Sequence, residues 1–186
     1  MMRDGGADTD SALAFDTERL QVRPLTEGDE ALYCSLYTDV ETMRFIAPPL
    51  SAGRAARSFH AALRLTRRRP MQHVFLSLIH KTTRQPVGIC SLQGVDLSLR
   101  RAEAGMVIAS AFRALGFGVE SLSALVTMAF TALPIDEVWA QTAFGHALAE
   151  RLVVKVGFAP RGSVEPTRER SGQRLWSAFR ESWRYV

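Results

Sequence analysis

Phe112-Arg113-Ala114-Leu115-Gly116-Phe117-Gly118 runs into an apolar-rich stretch from Val119 to Leu133 that stops at Pro134. Helical residues from Gly116 to Ala132 would span about 25 Å, a core helix rather than a membrane span. The first amides of such a helix have no partners within it, and the helix dipole favours an anion there. Gly116 and Gly118 therefore permit two readings: close packing at a helix start, or approach of a phosphate to the backbone. A third glycine at dinucleotide-fold spacing and a GKS or GKT triplet are both missing, which argues against a Rossmann fingerprint and a nucleotide-hydrolysing loop.

Upstream, Arg101 to Ala109 reads as a strand with Ala104, Met106 and Ile108 on one face and Glu103 opposite. Before it, His73–Ile79 and Pro86–Val95 form a predicted hairpin across the polar turn 81–85. Further back, Leu20 and Val22 predict a strand ending at Pro24. A helix from about Glu27 to Thr38 follows, with Leu32, Leu36 and Val40 at helical spacing, then one from about Gly53 to Arg68. Downstream, Ile135–Gln141 reads as a strand and His146–Val156 as a helix closed by Gly157. A last strand is expected over Leu175–Tyr185. The order β-α-α-β-β-β-α-β-α-β-β predicts an α+β (mixed α/β) fold.

The chain has 186 residues, 47% of them hydrophobic and 23% charged. That suits a single domain over 15–186 behind a mobile tail, 1–14, with one further mobile loop over 161–172. A globule of this size buries about two thirds of its unfolded surface and needs no disulfide or metal for a core. Cys34 and Cys90 stand apart in sequence and read as reduced thiols of a cytoplasmic protein. No apolar stretch is long enough to span a membrane, and residues 1–10 lack the apolar segment of a signal peptide. The formal net charge is +4, with 23 Lys and Arg against 19 Asp and Glu. This excess is too small to indicate nucleic acid.

The chain resembles the GNAT superfamily of acyl-CoA-dependent N-acyltransferases, and within it the branch containing the ribosomal-protein N-terminal acetyltransferases. Arg113, Gly116 and Gly118 occupy the positions of the family's pyrophosphate motif, and Glu120 matches a glutamate frequent in the helix that follows. Ala102-Glu103-Ala104-Gly105-Met106, Lys155-Val156-Gly157-Phe158 and the opening Thr17 to Leu25 resemble family segments in the expected order. The resemblance implies a central, largely antiparallel twisted sheet with helices on both faces and splayed central strands at the coenzyme site. It also implies transfer of an acetyl group from acetyl-CoA to an amine on a small molecule or a protein N-terminus. Dimers are frequent among relatives, so a homodimer is compatible; no nucleic-acid or membrane partner is expected.

Carried onto this sequence, the coenzyme would meet Arg113, Ala114, Leu115, Gly116, Phe117 and Gly118 at the turn, and Val107 and Ile108 along the strand. Glu103 is the candidate base, or else a strand-edge ion pair with Arg100 or Arg101. His146 is the candidate acid or coenzyme contact, or else a helix cap. Leu115 replaces a basic residue of many relatives, and Ala149 replaces a serine associated with protonating the departing thiolate. These departures favour, as the alternative, a catalytically weak or inactive acyl-CoA-binding protein. Tyr33, Tyr37, Phe45 and Phe59 fall where the family roofs the acceptor site, with core packing the competing role. The cluster Arg64, Arg67, Arg68 and Arg69 is either a solvated face or a site for coenzyme phosphate, nucleic acid or an acidic protein. His60, His73 and His80 lack metal-ligand spacing.

Overall fold

The helix begun by the glycine turn lies between the two strands whose pairing organises the sheet. The computed structural model describes residues 13–167 and 171–185. A short edge strand β1 (Phe15–Asp16) precedes β2 (Leu20–Pro24). A 3-10 turn (Glu27–Asp29) leads into α1 (Glu30–Thr38), α2 (Val40–Met43) and α3 (Ala52–Arg67). Then come β3 (Val74–His80), β4 (Pro86–Asp96), β5 (Arg101–Ile108) and α4 (Phe117–Ala132). The chain closes with β6 (Glu137–Ala143), α5 (Ala147–Val156), β7 (Ala159–Val164) and β8 (Gln173–Phe179).

The eight strands form one sheet in the order β1-β2-β3-β4-β5-β6-β8-β7. Every neighbouring pair is antiparallel except β5 and β6. A parallel pair needs a crossover, and α4 supplies it. Alternation along the strands sends Leu76, Cys90, Leu92, Ala104 and Met106 to the side of α4. Phe75, Ile89 and Val107 go to the other side, where α1 and α3 cover them with Leu32, Leu36, Phe59 and Leu63. Leu125 and Val126 of α4 are fully buried, each contributing about 1.5–3 kcal/mol through the apolar surface removed from water. Tyr33 and Phe59 are core residues, with Tyr33 stacked on Tyr37 at 4.3 Å between ring centroids.

Three local features differ from the sequence reading. Val40 does not continue α1, because Asp39 is extended and its carboxylate accepts from the Thr42 amide at 2.8 Å, starting α2 afresh. Val40 is accordingly exposed. The last strand ends at Phe179 instead of Tyr185, since Arg180 turns away to donate to the Ile135 carbonyl at 2.8 Å. Trp183 then packs edge-on against Phe130 and Phe158. Residues 161–164, expected in a mobile loop, belong to β7 and pair with β8. Residues 1–12 of the expected tail and 168–170 of that loop lie outside the described residues.

Candidate active site

Parallel pairing of β5 with β6 is brief: Arg101 with Glu137, Ala102 with Val138 and Glu103 with Trp139. Beyond Glu103 both strands continue without each other, β5 still paired to β4 and β6 to β8. Ala109 donates to the Val87 carbonyl at 2.9 Å. By alternation the N–H and C=O of Glu103, Gly105 and Val107 then point to β4, and those of Met106 and Ile108 point into the gap. Ile108 thus offers its N–H to the gap, its carbonyl being engaged by Arg113 Nε, whereas Val107 spends its own groups on β4 and Met106 is the other residue facing the gap. On the far side, Arg180 donates to the Asp136 carbonyl at 2.9 Å, so alternation leaves the peptide groups of Gln141 facing the gap.

The glycine turn stands at the mouth of this gap. Gly116 caps α4 with φ 86°, a left-handed conformation that suits glycine, and Ala114 adopts φ 60° just before it. Among the described residues, the amides from 114 to 119 donate to no acceptor. Ala114, Leu115 and Gly116 are exposed, so no side chain blocks the turn. Those amides and the start of a 16-residue helix make a seat for an anion. Gly118 is needed for a different reason. A Cβ there would lie 2.6 Å from Leu152 Cδ1 and 3.6 Å from Met106 Cε, so α5 and β5 close tightly over the first turn of α4.

Behind the turn, Arg19 and Glu120 form its brace. The Glu120 carboxylate accepts from Thr17 Oγ1, from the Arg19 amide at 2.8 Å and from Arg19 Nε at 2.7 Å. Arg19 Nη1 donates to the Leu115 carbonyl at 2.9 Å, and the guanidinium covers the Phe117 ring at 4.3 Å. Burial pushes the Glu120 carboxyl up, but hydrogen bonds from Thr17 and Arg19 outweigh it and hold the group below the usual carboxylate range. Arg113 faces elsewhere: Nη2 donates to Thr42 Oγ1 at 2.7 Å and Nε to the Ile108 carbonyl at 3.3 Å. It thereby ties α2 to the end of β5.

Glu103 sits where the two strands part, half-buried, and accepts from Gln141 Nε2 at 2.8 Å. Arg100, one of its expected partners, is engaged instead by Asp136. His146 caps α5: its Nδ1 accepts from the Ala149 amide at 3.3 Å, which places the ring proton on Nε2. Its ring stacks on Phe45 at 4.3 Å between centroids, so Phe45 lines this site while Tyr33 and Phe59 serve the core. Burial first, and the nearby Arg113 second, lower the His146 pKa and favour the neutral ring.

Four site residues escaped the sequence reading: Arg19, Met106, Gln141 and Leu152. Met106 follows from strand parity alone once a β4–β5 register is assumed. Gln141 lies 38 residues from Glu103 and Arg19 101 residues from Glu120, separations at which local patterns carry no signal. Among the described residues no group of acidic, histidine or cysteine side chains could hold a metal ion, and no helix is long and apolar enough to cross a membrane.

The same fold recurs in known proteins. A GNAT-family acetyltransferase from Bacillus anthracis superposes with a TM-score of 0.79 at 14% identity, covering 91% of this chain and 99% of its own. A spermidine N-acetyltransferase from Vibrio cholerae, solved with CoA and spermine, gives 0.76 at 17% identity, with 88% and 96% covered. The ribosomal-protein-S5-alanine acetyltransferase of Vibrio fischeri gives 0.76 at 13% identity, with 92% and 98% covered. At these identities the likeness is one of fold. No protein of curated function matches the chain. A sequence model of the acetyltransferase (GNAT) domain, however, matches residues 19–159, from the Arg19 brace to the first residue of β7. The chain belongs to the acetyltransferase (GNAT) domain family.

Proposed function

We propose that this protein transfers an acetyl group from acetyl-CoA directly to a primary amine, carried by a protein N-terminus or a small molecule. The observation that carries this reading is the parting of β5 and β6 beyond Glu103, with an exposed turn of unpartnered amides at its mouth. The turn fits a pyrophosphate: it is open, its amides lack acceptors, and Gly116 keeps side-chain atoms off it. When bound, acetyl-CoA supplies an activated thioester carbonyl. The peptide groups of Met106 and Gln141 and the N–H of Ile108 would pair with an amide-bearing arm lying in the gap, and an N–H there would stabilise charge developing on the acyl oxygen. Glu103, steadied by Gln141, takes the amine's proton directly or through one water. Seating donor and acceptor at this one point provides the proximity contribution.

His146 has a narrower part. With Nδ1 committed to the helix cap and the ring kept neutral, it donates a hydrogen bond from Nε2 and is poorly suited to deliver a proton as imidazolium. Ala149 brings no hydroxyl, so the proton for the departing sulfur comes from solvent. The same two facts favour the second reading, a coenzyme-binding protein without turnover. Calorimetric titration with acetyl-CoA and a coenzyme-release assay over mixed peptides and small amines, with products identified by mass, separate the two. Binding with release and an acetylated product supports the enzyme; binding without release supports the second reading; absence of binding ends both.

A further inference from the structure

The sheet face bearing Glu103 holds the uncharged Ser91, Gln93 and Gln141 beside it, and Arg101, two residues back along β5, is within electrostatic reach of Asp96. Glu137 on that face is already engaged, by Ser177 Oγ at 2.6 Å and by Arg161 Nη1 at 2.9 Å. Glu103 has no cationic partner among the described residues. One carboxylate without a counter-ion matches one ammonium, so a polyamine would leave its other charges unmatched.

The helix beside this face has the opposite character. Thr66 Oγ1 accepts from the Phe75 amide at 3.1 Å, which fixes the last turn of α3 on β3. The register then runs from Phe75 to Ser91 to Gly105, so α3 ends two strands, about 10 Å, from β5. Arg54, Arg57, Arg64 and the adjoining Arg68 are all exposed on its outer side, and α3 contains no acidic residue. None of these four has an ion-pair partner among the described residues, whereas Arg67 is engaged by Glu27 at 2.6 Å. Arg68, extended just past the last turn, continues this row of positive charge beyond the helix end. The row calls for an anionic partner. Phe59 of α3 is buried, and the exposed ring of His60 lies beside Glu30, Nε2 3.9 Å from its carboxylate, so no Phe, Tyr or Trp face is offered for stacking bases. The exposed side also lacks a large apolar residue to enter a lipid surface.

We propose that the acceptor is the α-amine of an acidic polypeptide, with its first residue at Glu103 and its acidic segment along the arginine row of α3; this rests on the acyl-transfer reading above. An extended chain covers the 10 Å to α3 in about three residues. The row from Arg54 to Arg68 is about 21 Å long, or some six residues more. Acidic residues are therefore expected near positions 4 to 10 of the acceptor.

The test compares peptides of equal length with free N-termini, acidic or neutral over positions 4–10, together with spermidine and a single-stranded RNA of similar length. Binding is read by fluorescence anisotropy and transfer by coenzyme release, each at 50 and 300 mM salt. The acidic peptide is expected to bind and react at least about tenfold better at the lower salt, with the advantage shrinking at the higher. Arg64→Glu with Arg68→Glu, and separately Arg54→Glu with Arg57→Glu, should reduce that preference while the neutral peptide's rate stays within about twofold. Melting curves like the wild type's confirm that these surface variants fold. Equal rates for acidic and neutral peptides, a preference surviving both double variants, preferred use of spermidine, or tighter binding of the RNA would each overturn the inference and leave acyl transfer standing. Failure to acetylate any amine would overturn the acyl-transfer reading, and this acceptor with it.

Discussion

Glu120→Gln should loosen the brace without emptying the space it occupies. The amide retains one oxygen for Thr17 and the Arg19 amide, but turns an NH2 group toward Arg19 Nε and Nη2, which now contact the carboxylate at 2.7 Å. Hydrogen bonds to a charged group contribute about 1.5–3 kcal/mol when shielded, whereas exposed pairs contribute about 0–1 kcal/mol. The Glu120 side chain is 13% exposed and that of Arg19 38%, which places the loss near 2 kcal/mol. For a domain of this size that corresponds to a fall in Tm of about 4–8 °C. Arg19→Met should cost a similar amount, and the double variant little more than either, giving a coupling of about 1–2 kcal/mol. Arg19 also holds the Leu115 carbonyl, so a slackened turn should raise the Kd for CoA about three- to tenfold. The pH dependence has a definite sign. Because the folded carboxyl lies below its ordinary value of 4.5, its stabilisation is present above about pH 4.5 and is lost as pH falls through the folded value. The gap in Tm between wild type and Glu120→Gln should therefore narrow in acid. A variant melting within 1 °C of wild type at pH 7, or one with lowered Tm and unchanged affinity for CoA, would refute the brace.

Other expectations test separate contacts. Gly118→Ala pushes a methyl to 2.6 Å from Leu152 Cδ1 and should cost about 1–3 kcal/mol by overpacking; Leu152→Ala added to it should recover part of the loss in a denaturant titration, and failure to do so would place the strain elsewhere. Glu103→Gln should lower kcat by about a hundredfold with CoA affinity retained, and an unaltered rate across the basic pH range would remove Glu103 as the base. His146→Ala should lose about 1 kcal/mol from the missing cap. Because the folded His146 pKa lies below the ordinary 6.5, wild-type stability should fall as pH drops from about 6.5 through the folded value, and the variant should lack that part of the slope.

What could be read from the sequence follows the range of the forces involved. The start of α4 was legible because its signal, two glycines before an apolar run bounded by Pro134, is confined to neighbouring residues. Gly157 likewise marked the end of α5, where it takes φ 106°. Val40 misled because helical spacing persisted across Asp39, although Asp39 and Thr42 three residues later already formed a capping signal. Trp183 misled because an aromatic near a strand end suits the sheet or the helix layer equally, and Phe130 and Phe158 decide for the latter. The parting of β5 and β6 came only through family resemblance. Strand order is non-local, and nothing in Arg101–Ile108 states where its pairing with β6 stops.

The two faces of the sheet at that parting differ in a way that bears on kinetic order. Toward α4 the gap is closed down by Met106, Leu152 and the first turn of α4, which leaves the glycine turn as its mouth, where the proposed reading would bring in a phosphorylated arm. On the opposite face, Gly105 keeps the surface flat: a Cβ there would lie 2.8 Å from Ser91 Oγ and 3.3 Å from Gln93 Nε2. An acceptor resting on that flat polar surface reaches Glu103 without passing the turn, so neither substrate must leave before the other arrives. A relay through an acyl group on Cys90 is disfavoured independently, because Cys90 is completely buried and burial pushes its thiol up to about 12. Initial rates measured against both substrates should accordingly give intersecting double-reciprocal lines. Parallel lines, the sign of an acyl group parked on the protein between half-reactions, would mean that the two faces do not serve separate substrates.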